Sequence, residues 1–80
     1  MNIQLIQGEF STGDAIDLIT QVIHLKIKYH ENKIDNDSSE EDVKFRESKI
    51  KHLQKELFEF RKEIEGKNSN VTIDAVVKID

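Results

Sequence analysis

Val43, Arg46, Ile50, Leu53, Leu57, Phe60 and Ile64 recur in alternating steps of three and four, the spacing that gathers side chains onto one narrow face of a helix. A single stripe of this kind needs one neighbouring helix. The segment before it, from about residue 12 to residue 34, is apolar around more than half its circumference and needs more than one. That asymmetry points to assembly with a second chain.

Three glycines and no proline punctuate the sequence. Ile3 and Leu5 alternate with Asn2 and Gln4, which predicts a strand over about residues 2–7, ended by Gly8. Ser11-Thr12-Gly13-Asp14 offers a hydroxyl N-cap and then a carboxylate that suits the positive end of the helix dipole. A first helix is therefore expected over about residues 12–34. Asp35-Asn36-Asp37-Ser38-Ser39 is short, polar and turn-forming, the composition of a hairpin connection over about residues 35–39. Ser38 with Glu41, or Ser39 with Asp42, repeats the cap signature, and Glu40, Glu41 and Asp42 load the first turn of the second helix with negative charge. That helix is expected over about residues 40–65, stopped by Gly66 and the polar run Lys67-Asn68-Ser69-Asn70. Val71, Ile73, Ala75, Val77 and Ile79 then alternate with Thr72, Asp74, Val76 and Lys78, predicting a strand over about residues 71–79. The order is β-α-α-β, a single α+β domain that is mainly α. No repeat or low-complexity tract divides it.

Folding one helix back on the other pairs residues whose numbers sum to a nearly constant value. Ile34 then falls opposite Val43, His30 opposite Arg46, Ile27 opposite Ile50, Ile23 opposite Leu53, Ile19 opposite Leu57 and Ile16 opposite Phe60. This seam, of coiled-coil character, uses one stripe of the first helix. A second stripe, Ala15, Leu18, Val22, Leu25 and Tyr29, lies on the adjoining face with no partner in the hairpin. Leaving such side chains in water forgoes roughly 1.5–3 kcal/mol each, comparable in total with the stability of a small domain. A second copy packed through this stripe makes a four-helix bundle around a two-fold axis, and a homodimer is the expectation. The competing cover is the pair of terminal strands. The hairpin returns the chain to its starting end, so those strands should pair antiparallel, with Ile3 and Leu5 near the apolar face of the last strand.

Composition narrows the chemistry. With 80 residues there is one small core, and with no cysteine there is neither a disulfide nor a thiolate metal site to reinforce it, which leaves oligomerisation. Charged residues make up 35% and hydrophobic ones 36%, and no apolar run is long enough for a membrane span. The opening Met1 to Phe10 has neither a basic segment nor a long apolar one, so a cytoplasmic setting is expected. A net charge of −4 weighs against nucleic acid as a partner.

Few residues invite a chemical role. His24 and His30 are six apart and on different helix faces, which is not ligand spacing; His30 on the seam reads as a neutral polar layer, hydrogen-bonded to a nearby carboxylate or backbone group, that sets register. Lys26, between the two stripes, is expected to reach outward toward Glu47 or Gln54. Lys44, Lys51, Lys55 and Lys62 share an outer stripe of the second helix, but Glu40, Glu47 and Glu59 stand four residues from Lys44, Lys51 and Lys55 in the manner of a solvated face. Phe45 and Phe58 lie off the heptad and, with Lys51 and Lys55, are candidate partner contacts. No phosphate loop, nucleophile elbow or paired histidine motif is present. The expectation is a non-enzymatic, dimeric interaction or assembly module that binds another protein and needs no cofactor. The alternative is a nucleic-acid-associated regulator working through the lysine stripe.

Overall fold

In a computed structural model, which describes residues 1–66 and 70–80, the elements run β1 (Asn2–Phe10), α1 (Thr12–Asn32), α2 (Glu40–Ile64) and β2 (Val71–Lys78). Both helices start on serine. The Ser11 hydroxyl accepts from the Asp14 N–H at 3.2 Å and the Ser39 hydroxyl from the Asp42 N–H at 3.1 Å, so each satisfies an orphan donor of a first turn rich in acid. Of the two serines that could have capped α2, Ser39 does so because Ser38 is used elsewhere. Its hydroxyl accepts from the Asp35 N–H at 3.1 Å and donates to the Lys33 carbonyl at 3.4 Å, closing the hairpin loop on itself. α1 stops at Asn32, two residues short of the expected end, because the N–H groups of Lys33 and Ile34 turn to carbonyls three residues back. Gly66 takes φ +85°, the left-handed stop expected after α2. Lys67, Asn68 and Ser69, assigned to the same loop by sequence, lie outside the described residues.

The antiparallel helical hairpin keeps the expected register. Leu53 and Ile23 are buried, and every other member of the α2 heptad and of its α1 counterpart is at least half-buried. The terminal strands pair antiparallel as a two-stranded ribbon lying against α1.

β1 differs from its sequence reading in two ways. It continues through Gly8 to Phe10, because Gly8 at φ +140°, a conformation open to glycine, stays in the ladder opposite Ile73. It also carries a β-bulge: the register shifts between Gln4 and Ile6, leaving Leu5 without a cross-strand partner. Ile6, Gly8 and Phe10, opposite Ala75, Ile73 and Val71, form the half-buried face, and beyond the bulge the parity reverses so that Ile3 stands opposite Val77. Ile3 therefore joins the apolar face of β2 and Leu5 does not. The Gln4 side-chain amide spans the irregularity, donating to Ile6 O at 3.0 Å, Asp74 Oδ1 at 2.7 Å and Ala75 O at 3.2 Å.

The chain extends 46 × 35 × 13 Å, and 13 Å is close to the thickness of one helix. Domains ordinarily close a core between two layers, and this chain supplies one. Only Ala15, Ile23, Leu53 and Ile64 are buried among the described residues. The radius of gyration is 15.5 Å, where a compact domain of this length has about 12 Å. No described helix is long and apolar enough to cross a membrane.

Candidate functional site

The second stripe of α1 is divided by the ribbon. Where α1 leaves β1, near its contact with the strands, Ala15 has no exposed surface and Leu18 is half-buried. Farther along, Val22, Leu25 and Tyr29 are 37%, 70% and 55% exposed. The five residues grouped by spacing are thus split by tertiary structure: Ala15 offers nothing to a partner, while the last three form an open apolar strip.

Tyr29 joins that strip to the hairpin tip. The Arg46 guanidinium lies 5.9 Å from the Tyr29 ring centre and 5.8 Å from that of Phe45, placing both rings on one side of the molecule. Lys33 Nζ sits 5.4 Å from the Tyr29 centroid and Lys49 Nζ 5.3 Å from the Phe45 centroid. The Tyr29 and His30 rings meet edge to face with centroids 5.4 Å apart. His30 is half-buried, and its Nδ1 lies 2.9 Å from the Arg46 guanidinium, which can only donate. Loss of water around the imidazole lowers its pKa below the ordinary 6.5, and the nearby charges of Arg46, Lys49 and Lys26 act in the same direction. The polar layer expected at His30 is present, but its partner is the Arg46 cation and not the expected carboxylate or backbone group.

Two shallow grooves flank the helix seam. One, about 300 Å³, is lined by Lys26, His30, Lys49, His52, Leu53 and Glu56. Lys26 therefore shares a groove with Glu56, and not with Gln54, which lies across the seam; residue spacing sets the register of a hairpin but leaves open which flank each side chain takes. His52 Nε2 is 2.8 Å from Glu56 one turn on. The other groove, about 380 Å³, is lined by His24, Ile27, Gln54, Leu57, Phe58 and Arg61, with Arg61 donating to the Thr20 hydroxyl at 3.1 Å. Phe58, 66% exposed, faces this side, so the two aromatics taken together from sequence stand on opposite flanks.

Two of the four lysines of the α2 stripe pair with their own acids: Lys44 Nζ lies 3.3 Å from Glu40 and Lys55 Nζ 4.0 Å from Glu59, while the Lys51–Glu47 pair suggested by spacing does not form among the described residues. Lys51 and Lys55 are exposed and line neither groove. Lys33, Arg46 and Lys49, around the tip aromatics, and Lys26, in the groove it shares with Lys49, have no ion-pair partner among the described residues. Sequence inspection passed over this cluster because its members belong to two helices; the seam register, read together with residue type, could have found it. Among the described residues no group of three or more histidine or carboxylate side chains could hold a metal ion.

The chain matches no protein-family model, and no curated protein or solved structure matches it.

Proposed function

We propose that this chain is a non-enzymatic interaction module of the cytoplasm that works as a homodimer and docks another protein. The observation that carries the reading is surplus surface. The chain exposes 6507 Å², whereas a folded monomer of 9.3 kDa exposes about 5,000 Å². The difference, about 1,500 Å² per chain, is of the size that permanent homodimers bury. The strip Val22, Leu25 and Tyr29 is where the second copy packs, bringing two α1 helices together at the centre of a four-helix bundle and providing the missing layer. Phe58 and its groove on the opposite flank remain free for the protein partner.

Light scattering coupled to gel filtration tests the reading. A mass of two or more chains at micromolar concentration supports it, and a monomer of 9.3 kDa overturns it. The second reading, a nucleic-acid regulator, is favoured by one observation, the cations Lys33, Arg46 and Lys49 beside two aromatic rings, with no ion-pair partner among the described residues. Against it stand the net charge of −4 and the acidic first turn of α2 at the same tip.

A further inference from the structure

Six of the exposed large apolar side chains, Met1, Ile3, Leu5, Val76, Val77 and Ile79, sit at the far end of the ribbon, away from its junction with α1. A two-stranded ribbon has two open edges and is marginal alone, so the edges matter as much as the side chains. They are not equivalent. The β1 edge is broken by the bulge at Leu5, a feature that blocks further pairing, whereas β2 runs from Val71 to Lys78 without irregularity.

The ladder itself shows which backbone groups of β2 are free. Met1 and Ile79 exchange both hydrogen bonds, at 2.8 and 2.7 Å, so Ile79 and, two residues on, Val77 direct their backbone groups toward β1. By the alternation of an antiparallel ladder, Val76, Lys78 and Asp74 direct theirs outward. Along that edge the order is acid, three apolar residues, base: Asp74-Ala75-Val76-Val77-Lys78. Such an order is its own complement when reversed.

We propose that β2 pairs antiparallel with β2 of a second copy about a two-fold axis at Val76, forming a continuous four-stranded sheet. In this register Val76 meets Val76 of the partner subunit with reciprocal N–H···O=C bonds. Asp74, whose Oδ1 is held by the Gln4 amide at 2.7 Å, meets the partner's Lys78 through its second carboxylate oxygen on both sides of the axis, and Ala75 lies beside the partner's Val77. The neighbouring registers are selected against by charge. Centring the axis on Asp74 or Lys78 opposes like charges directly, centring it on Val77 sets Asp74 against the partner's Asp80, and centring it on Ala75 leaves both charges without a counterion. The contact is isologous and separate from the α1 strip, so the two together join four chains, or extend further if their axes do not close.

Light scattering on three variants, with the wild type beside them, decides it. Val76→Pro removes an outward N–H while leaving the inward ladder intact, and Lys78→Glu places like charges across the axis; both should lower the wild-type mass at least twofold with unchanged circular dichroism. Asp74→Lys combined with Lys78→Asp restores the pairing with its signs exchanged and should restore the mass. Val76→Cys, the only cysteine in such a chain, should form an interchain disulfide under mild oxidation, because the paired Cα atoms stand about 5.5 Å apart. A mass unmoved by Val76→Pro, or Val76→Cys that stays reduced, overturns the inference. Val22→Asp reports separately on the α1 strip: if it leaves the mass unchanged while Val76→Pro lowers it, strand pairing stands and the helix-face reading falls.

Discussion

His30 Nδ1 accepts a hydrogen bond from the Arg46 guanidinium at 2.9 Å across the helix seam, an arrangement that requires the imidazole to be neutral. Lys26 and Lys49 add positive charge on the same side, with Glu56 and the imidazole of His52 in the shared groove. Proton uptake by His30 therefore removes an acceptor and adds a cation to a cationic neighbourhood. Because the folded-state pKa is lowered from 6.5, the stabilisation is present above that value and is lost as pH falls through the lower folded one. The expected result is a melting temperature that declines as the pH is lowered through 6.5. Following the His30 ring protons by NMR should return a titration midpoint below the ordinary 6.5; a midpoint at or above that value contradicts the assignment.

Val22→Asp places a carboxylate in the middle of the exposed strip on α1. In a homodimer built on this strip the charge is buried without a counterion, which dissociates the pair. Because Val22 is 37% exposed within the chain, folding of the monomer should change little. Sedimentation equilibrium at several concentrations measures the shift, and a dissociation constant equal to that of the wild type removes Val22 from the interface.

Leu53→Ala truncates a side chain that is 5% exposed on the seam side of α2, as Ile23 is 8% exposed on that of α1. Such a truncation costs about 2–5 kcal/mol, a large part of the stability of a small domain. Urea unfolding should show a midpoint far below that of wild type. Leu25→Ala, by contrast, removes a side chain that is 70% exposed and should cost little in the monomer while weakening the dimer.

Gly8→Val tests the backbone of β1. A Cβ at this position meets nothing within 4 Å, so any loss of stability reports on conformation and not on crowding. At φ +140° a branched residue is strained, and the expected cost is about 1–3 kcal/mol. Chemical denaturation gives the value. A neutral substitution means that the strand relaxes to an ordinary φ without loss.

Labelled duplex and single-stranded oligonucleotides should bind weakly at physiological salt, since Lys44 and Lys55 are paired with Glu40 and Glu59 and the chain carries −4 overall. Fluorescence anisotropy across a salt series measures it. Submicromolar binding that falls steeply with salt and is lost in Lys26→Glu with Lys49→Glu promotes the nucleic-acid reading; loss on changing Lys51 and Lys55 restores the lysine stripe of α2 to that role.

The elements, their order and the hairpin register were legible in the residues alone because each rests on local chemistry. Serine hydroxyls capped both helices, Gly66 stopped α2, and steps of three and four placed Ile23 against Leu53 and His30 against Arg46. Tertiary structure decided what spacing leaves open. A helix stripe states that Ala15, Leu18, Val22, Leu25 and Tyr29 share a face, but how much of it is covered depends on contacts distant in sequence; Ala15 is closed to solvent and Leu25 is open. Alternation in β1 placed Ile3 and Leu5 together, and the bulge separated them, since inserting one residue reverses every side chain beyond it. The flank of the seam taken by Lys26, and the meeting of Tyr29 with Phe45 over one guanidinium, follow from the handedness of the helix pair, which no list of intervals contains.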